Sequence, residues 1–135
     1  MAYLFRELVI EKNTSRALAM RTLIPLAKGV INRIDITFPD GCLTLARIII
    51  NYHGSQLIPF NLDSSLGYNN HVLEIPCNIE VDQAPFELEV LNWNLDDTFS
   101  HTLLLGIVIN YANEVSNPTI TKATPINTVV PEITG

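Results

Sequence analysis

Residues 93 to 101, WNLDDTFSH, place the chain's single tryptophan, two adjacent aspartates, a phenylalanine and one of its three histidines within nine positions. Asn92, Asn94, Asp96 and Asp97 there offer hard oxygen donors of the kind that hold calcium. An EF-hand loop also needs a glycine at its sixth position and a distal glutamate, and this run has neither. Two further readings compete with a cation site. Asp96 and Asp97 could act as a catalytic carboxylate pair. Alternatively, both form turns through nearby backbone, Thr98 closes the corner, and Trp93 and Phe99 reach from flanking strands into the core. The last is preferred, so Trp93, Asp96, Asp97 and Phe99 are expected as turn and core residues at the tip of a β-hairpin.

The remaining chemistry is sparse. A nucleophilic enzyme needs a serine or cysteine beside a base that a third group orients. His53, His71 and His101 are scattered, and no serine sits in a G-x-S-x-G turn. Gly29, Gly41, Gly54, Gly67, Gly106 and Gly135 never cluster into a phosphate-binding loop. Cys42 and Cys77 stand alone, without CxxC spacing or a histidine beside them, which fits small buried thiols better than zinc and leaves a disulfide open. The expectation is therefore a protein with no catalytic residues, no cofactor and no metal. Trp93, Tyr52, Tyr68 and Tyr111 are the aromatic candidates for a sugar-stacking site, a thin signal for a ligand-binding module.

Charge narrows the partners. Residues 1 to 47 carry seven of the eight bases against four acids, and residues 48 to 135 carry only Lys122 against ten acids. An acidic surface repels phosphate, which disfavours nucleic acid. Glu80, Asp82, Glu87, Glu89, Asp96 and Asp97 fall in a stretch without lysine or arginine and are expected to form a solvated face, or else to dock on a basic lattice. The asymmetry itself fits basic N-terminal strands lying beside acidic later ones, or complementary surfaces on neighbouring subunits. The longest apolar run, Leu103 to Ile109, is far short of the ~20 residues that span a bilayer. Arg6, Glu7, Glu11 and Lys12 interrupt any secretory signal, so folding in a cytoplasm without membrane association is expected.

The elements that must carry these residues are strands. VINRIDITF (30–38) alternates, with Val30, Ile34, Ile36 and Phe38 on one face. PDG (39–41) is a turn signal from which a hairpin is expected. LTLARIIIN (43–51) is apolar on both parities and reads as a central strand. QLIPF (56–60) is an edge or bend because of Pro59, and 61–70 is a loop. HVLEI (71–75) is expected to end at Pro76. FELEVLNW (86–93) sets Phe86, Leu88 and Val90 opposite Glu87 and Glu89, and HTLLLGIVINY (101–111) fits a strand buried between layers. Upstream, YLFRELVIEK (3–12) and ALAMRTLIPL (17–26) add strands, and residues 1–26 are read as an N-terminal strand or arm region. With 47% hydrophobic residues, 135 residues suffice for one core. The fold class expected is all-β: a two-layer antiparallel β-sandwich over residues 1–111 with extended terminal arms.

Residues 112–135 differ. Pro118, Pro125 and Pro131 recur among threonines, disfavouring helix and regular sheet. Ile120, Ile126, Val129, Val130 and Ile133 are apolar anchors that a solvated tail would not need. An extended arm that orders on a neighbouring surface accounts for both, and these five residues are the expected interface.

Three local words, IPLAKGVINRIDITFPDGC (24–42), QLIPFN (56–61) and FELEVLNWNLDDTFSHT (86–102), together resemble small β-sandwich virion proteins of tailed bacteriophages. The resemblance rests on Lys28, Gly29, Phe38, Pro39, Gly41, Cys42, Trp93, Asn94, Asp96, Asp97, Thr98 and His101. It implies a non-enzymatic capsid decoration or cement protein, located in the virion, that binds the major-capsid lattice and fastens neighbouring capsomers as a homo-oligomer, dimer or trimer. A tail or baseplate β-sandwich and a carbohydrate-binding module are the alternatives.

Overall fold

The structure is a computed structural model in which residues 1–112 are described; residues 113–135, with the expected arm and its anchors Ile120, Ile126, Val129, Val130 and Ile133, lie outside the described residues. Eight strands form among the described residues: β1 (Ala2–Ile10), β2 (Met20–Pro25), β3 (Gly29–Phe38), β4 (Ala46–Tyr52), β5 (Ser55–Ile58), β6 (His71–Val81), β7 (Glu87–Asn94) and β8 (His101–Tyr111). One 3-10 turn, Arg16–Leu18, precedes β2, and none of the described residues forms a helix long and apolar enough to cross a membrane. All pairings are antiparallel, in two four-stranded sheets ordered β1-β8-β3-β6 and β2-β7-β4-β5. The chain is therefore all-β, a two-layer β-sandwich.

The pairs are nested: β1 with β8, β2 with β7, β3 with β6 and β4 with β5. A long antiparallel ribbon wrapped over itself gives this order, which is the connectivity of a jelly roll. Among the described strands only β4 and β5 are joined as a hairpin. Its turn residues His53 and Gly54 both have positive φ, 47° and 80°, as a two-residue type I′ turn requires. Every other connection steps from one sheet to the other. The hairpins expected at residues 39–41 and 93–101 are thus corrected to inter-sheet corners. Turn residues supply the same tight reversal in either case, and the apolar faces of the flanking strands are buried equally well by both.

The core lies between the sheets and is dominated by isoleucine. Ile34, Ile36, Phe38, Leu105 and Ile107 from one sheet meet Ile48, Ile50, Leu88 and Val90 from the other, all buried. β-Branched side chains with few rotamers suit such pleated, facing surfaces. A bulge between Ile31 and Arg33 shifts the register of β3 against both its neighbours. It turns Ile31 inward and leaves Val30 half-buried on the outer side, correcting the expectation that Val30 shares the face of Ile34. β6 does not stop at Pro76 but runs through it, which an edge strand tolerates because one side of its backbone needs no partner.

Candidate functional site

The acidic corner, expected as turn residues, is a structural junction. Asn94, fully buried at the end of β7, uses its side chain in three directions: Nδ2 donates to Phe99 O at 2.9 Å and Ile10 O at 3.4 Å, while Oδ1 accepts the Asp96 amide at 3.0 Å. Asp96 Oδ1 in turn accepts the amides of Thr98 and Phe99 at 2.9 and 3.2 Å, and its Oδ2 sits 2.8 Å from His101 Nε2. Backbone bonds bring in two further loops, Asn13 N to Asp96 O, Thr14 N to Asn94 O and Leu95 N to Leu45 O. Asp97 faces Thr98, whose hydroxyl donates to it at 2.9 Å. Asn94 Oδ1 and Asp96 Oδ1 are thus turned onto the protein's own amides, Asp96 Oδ2 onto His101 and Asp97 Oδ1 onto a hydroxyl, while Asn92 Oδ1 is buried without a partner among the described residues. Among the described residues no group of three or more His, Cys, Asp and Glu side chains converges as a metal site.

Of the two aromatics expected to be buried, Trp93 is and Phe99 is not. Phe99 is 66% exposed rather than in the core. Trp93 is buried, but on the outer side of its sheet, since Leu88 and Val90 hold the inward positions of the alternating strand. The Arg16 guanidinium stacks 5.4 Å from its ring and donates to Asp63 O, tying down the 61–70 loop.

The carboxyl of Asp96 is held below the usual aspartate range, first by the Thr98 amide and then by His101. A depressed carboxyl contributes stability that is fully present above its unfolded-state value and is lost as pH falls through the lower folded-state value. Asp96→Asn removes that contribution. The gap in melting temperature between wild type and this variant is expected to be widest near neutral pH and to close as the pH is lowered through the acid range. Melts at a series of pH values check this, and a gap constant with pH would show that the charge at Asp96 does not matter.

Cys42 is fully buried and near enough to Asp96 to feel its charge, while a Cβ at the adjacent Gly41 would meet His101 at 3.8 Å. The sequence places no histidine beside this cysteine, and the fold brings His101 near the adjacent Gly41. A thiolate nucleophile needs a lowered thiol pKa and access. Burial instead pushes the Cys42 thiol up, and the Asp96 charge adds to it. Cys77 is likewise a separate free thiol raised by burial.

The acidic run is dispersed rather than gathered on one face. Glu80 lies on β6, Glu87 and Glu89 on the outer side of β7, and Asp96 and Asp97 in the corner. Glu89 is paired by Arg21 of β2 and accepts from Asn51 Nδ2 at 2.9 Å, with its carboxyl lowered by Asn51 first and Arg21 second. This is the basic strand beside an acidic one that the charge asymmetry suggested. Arg21, Glu87, Glu89, Leu23, His53 and Pro85 line a shallow cleft of about 300 Å³. Of the aromatic candidates for sugar stacking, none lines it. Tyr52 spends its hydroxyl on the amides of Asp82 and Gln83, and Tyr68 packs against Phe38 and His71.

The strongest candidate surface is the outer face of the β1-β8-β3-β6 sheet. Tyr3, Phe5 and Val9 project from β1 with 51%, 59% and 52% of their area exposed. Leu104 and Val108 adjoin them on β8, and Val72 stands on β6. Tyr3 and Phe5 rings lie 5.8 Å apart. Gly106 makes room for this arrangement, because a Cβ there would come within 2.2 Å of the Tyr3 hydroxyl. That hydroxyl donates to Asp35 at 3.3 Å, and Arg33 grips the same carboxylate through Nε at 2.9 Å and its terminal nitrogen at 3.1 Å. Glu7, Glu74 and Glu80 also stand at outward positions, so the face combines an aromatic stripe with excess negative charge. Sequence reasoning missed Tyr3, Phe5 and Val9. The signal was present in β1, which is apolar on both parities, but the same pattern also reads as a strand covered on both sides.

The fold thus defines a jelly-roll β-sandwich whose most developed surface feature is a flat aromatic and acidic sheet face. No protein-family model, curated protein or solved structure matches this chain.

Proposed function

We propose that this chain is a non-enzymatic structural protein that binds an assembled protein shell, a decoration or cement protein for a viral capsid lattice. The observation that carries the reading is the exposed stripe of Tyr3, Phe5 and Val9 on a sheet that is otherwise fully built. Monomeric proteins rarely leave contiguous aromatic and aliphatic patches in water, and such patches mark interaction surfaces. Tyrosine and phenylalanine are the residue types that anchor protein interfaces, and Tyr3 is already fixed by Asp35 and Arg33. Surrounding carboxylates Glu7, Glu74 and Glu80 favour a lattice surface that is neutral to basic. Jelly rolls occur in capsid domains as well as in lectins and cupins, so the fold agrees with the reading by analogy only. Repeated weak contacts to adjacent subunits would give avidity, and preference for the assembled state would stabilise it by mass action.

Co-sedimentation of the full chain with shells of the major capsid protein from the same genome tests this. Saturable binding at a fixed ratio to capsomers is expected, weakened on the order of a hundredfold by Phe5→Ala together with Tyr3→Ala, the loss typical of removing two interface anchors. No binding to intact shells would discard the cement reading. A β-sandwich tail or baseplate component is the second reading, supported by the same face and distinguished by binding to tails instead of shells.

A further inference from the structure

We propose that the crevice between the edge strands β1 and β2 is a binding site for a short-chain aliphatic carboxylate, with the guanidinium of Arg6 holding the head group. The inference goes beyond shell binding and stands without it.

Arg6 occupies an unusual place. Leu4, Arg6, Leu8 and Ile10 share one face of β1, and Leu8 and Ile10 are buried, so this is the face that turns to the core. Arg6 sits half-buried between Leu4 and Leu8 on it. Every other arginine is engaged: Arg16 with Asp63 O, Arg21 with Glu89, Arg33 with Asp35 and Arg47 with Ser65 O. Arg6 has neither an ion pair nor a hydrogen bond among the described residues. A guanidinium against an apolar wall gives up hydration and regains nothing without an acceptor. An inward-pointing charge on an edge strand also deters strand addition, which accounts for a charge here but not for the hollow beside it.

That hollow has a volume of about 140 Å³. Leu4 and Arg6 line it from β1, Ile24 and Pro25 from β2, and Leu105 and Ile107 from β8, with Phe5 at its margin. Ile24, Leu105 and Ile107 are core residues, so the crevice runs from the side of the sandwich toward its interior. Arg6 is the only charged residue among those that line it.

Charge and shape together select the ligand. The planar fork of arginine matches a carboxylate through two parallel N–H donors. The aliphatic walls suit an unbranched alkyl tail, as in other small sites where a few polar groups orient an otherwise apolar ligand. A methylene takes about the room of a water molecule, ~30 Å³ in the liquid, so roughly four or five carbons fill the hollow. Pentanoate and hexanoate are the acids of that size, and ligands so small are expected to bind in the millimolar range.

Titration of the full chain with acetate, propanoate, pentanoate and hexanoate at constant ionic strength, followed by amide and methyl NMR shifts, reads the outcome. Saturable shifts are expected at residues 4–6, 24–25 and 105–107. Affinity should rise about fourfold for each added methylene until the hollow is full. Pentanol and pentylamine, which carry the same tail without the anion, should bind at least about tenfold more weakly than pentanoate, and Arg6→Gln should weaken pentanoate by a similar factor. No saturable shift with any acid overturns the proposal, as does pentanol binding as tightly as pentanoate, or an affinity indifferent to chain length or to Arg6→Gln. The acid, alcohol and amine series uses the unaltered protein, so it decides the matter even where Arg6→Gln fails to fold. Shell binding by a chain that ignores pentanoate would discard this site and leave the cement reading intact, and the converse result would do the opposite.

Discussion

Asn94→Asp is expected to remove about 3–5 kcal/mol of folding stability at neutral pH, much of what a domain of this size possesses. The substitution is isosteric but deletes both Nδ2 donors, leaving the carbonyls of Phe99 and Ile10 facing a carboxylate in a fully buried position. Burying an unpaired charge is among the most costly single changes a protein can suffer. Desolvation raises the pKa of the introduced carboxyl, so the variant should regain stability as pH falls, with protonation returning one donor. This slope is opposite in sign to the contribution of Asp96 in the wild type. Denaturant melts at pH 7 and at mildly acidic pH measure both parts. A loss under 1 kcal/mol at neutral pH would mean that the corner rearranges around the charge and that Asn94 does not hold β7 to the end of β1.

Phe38→Ala should cost about 3–5 kcal/mol, the range for a large buried aromatic truncated to a methyl group. Phe38 is 1% exposed at the end of β3 and meets the edge of Tyr68 with ring centroids 5.6 Å apart. Its loss opens a cavity between the core and the 61–70 loop. Urea unfolding is the measurement, with a lowered midpoint and an unchanged slope expected. An altered slope would show that the loop is released as well, converting a cavity effect into a change of exposed surface.

Much of the architecture is legible in the residues. The clean alternation of Glu87, Leu88, Glu89 and Val90 specifies a half-buried strand, and the two-sided apolar run of β4 marks a central strand, whereas β8, expected to be buried between layers, is central in its sheet but leaves Leu104 and Val108 half-buried on the outer face. What escapes is any property decided by residues far away. A turn such as Pro39-Asp40-Gly41 reverses the chain identically whether the next strand pairs with the last or crosses to the opposite sheet. The extra residue of the β3 bulge has no local signature in Val30-Ile31-Asn32, and it moves Val30 from inside to outside. The β4–β5 hairpin turns at His53-Gly54, where two successive positive φ angles are needed, but glycine preceded by histidine is a weaker mark than glycine preceded by asparagine.

The candidate surface was less legible than the fold. WNLDDTFSH drew notice through its residue types, yet its polar atoms are consumed by the corner itself. Tyr3 and Phe5 carry no chemical motif, and their exposure follows only from the edge position of β1 and the gap left by Gly106.

The nesting of strand pairs has a consequence for how the chain comes to be folded. β8 is the strand that joins β1 to β3, so one of the two sheets lacks its centre until residues 101–111 have left the ribosome. β1 waits for β8, the last of the described strands, with both of its edges and its aromatic side chains uncovered. Contacts between residues so distant in sequence form slowly, and a chain in this condition is open to capture by any strand that arrives before its own. The interval between the synthesis of Tyr3 and that of Leu105 is thus when the nascent protein most needs a chaperone.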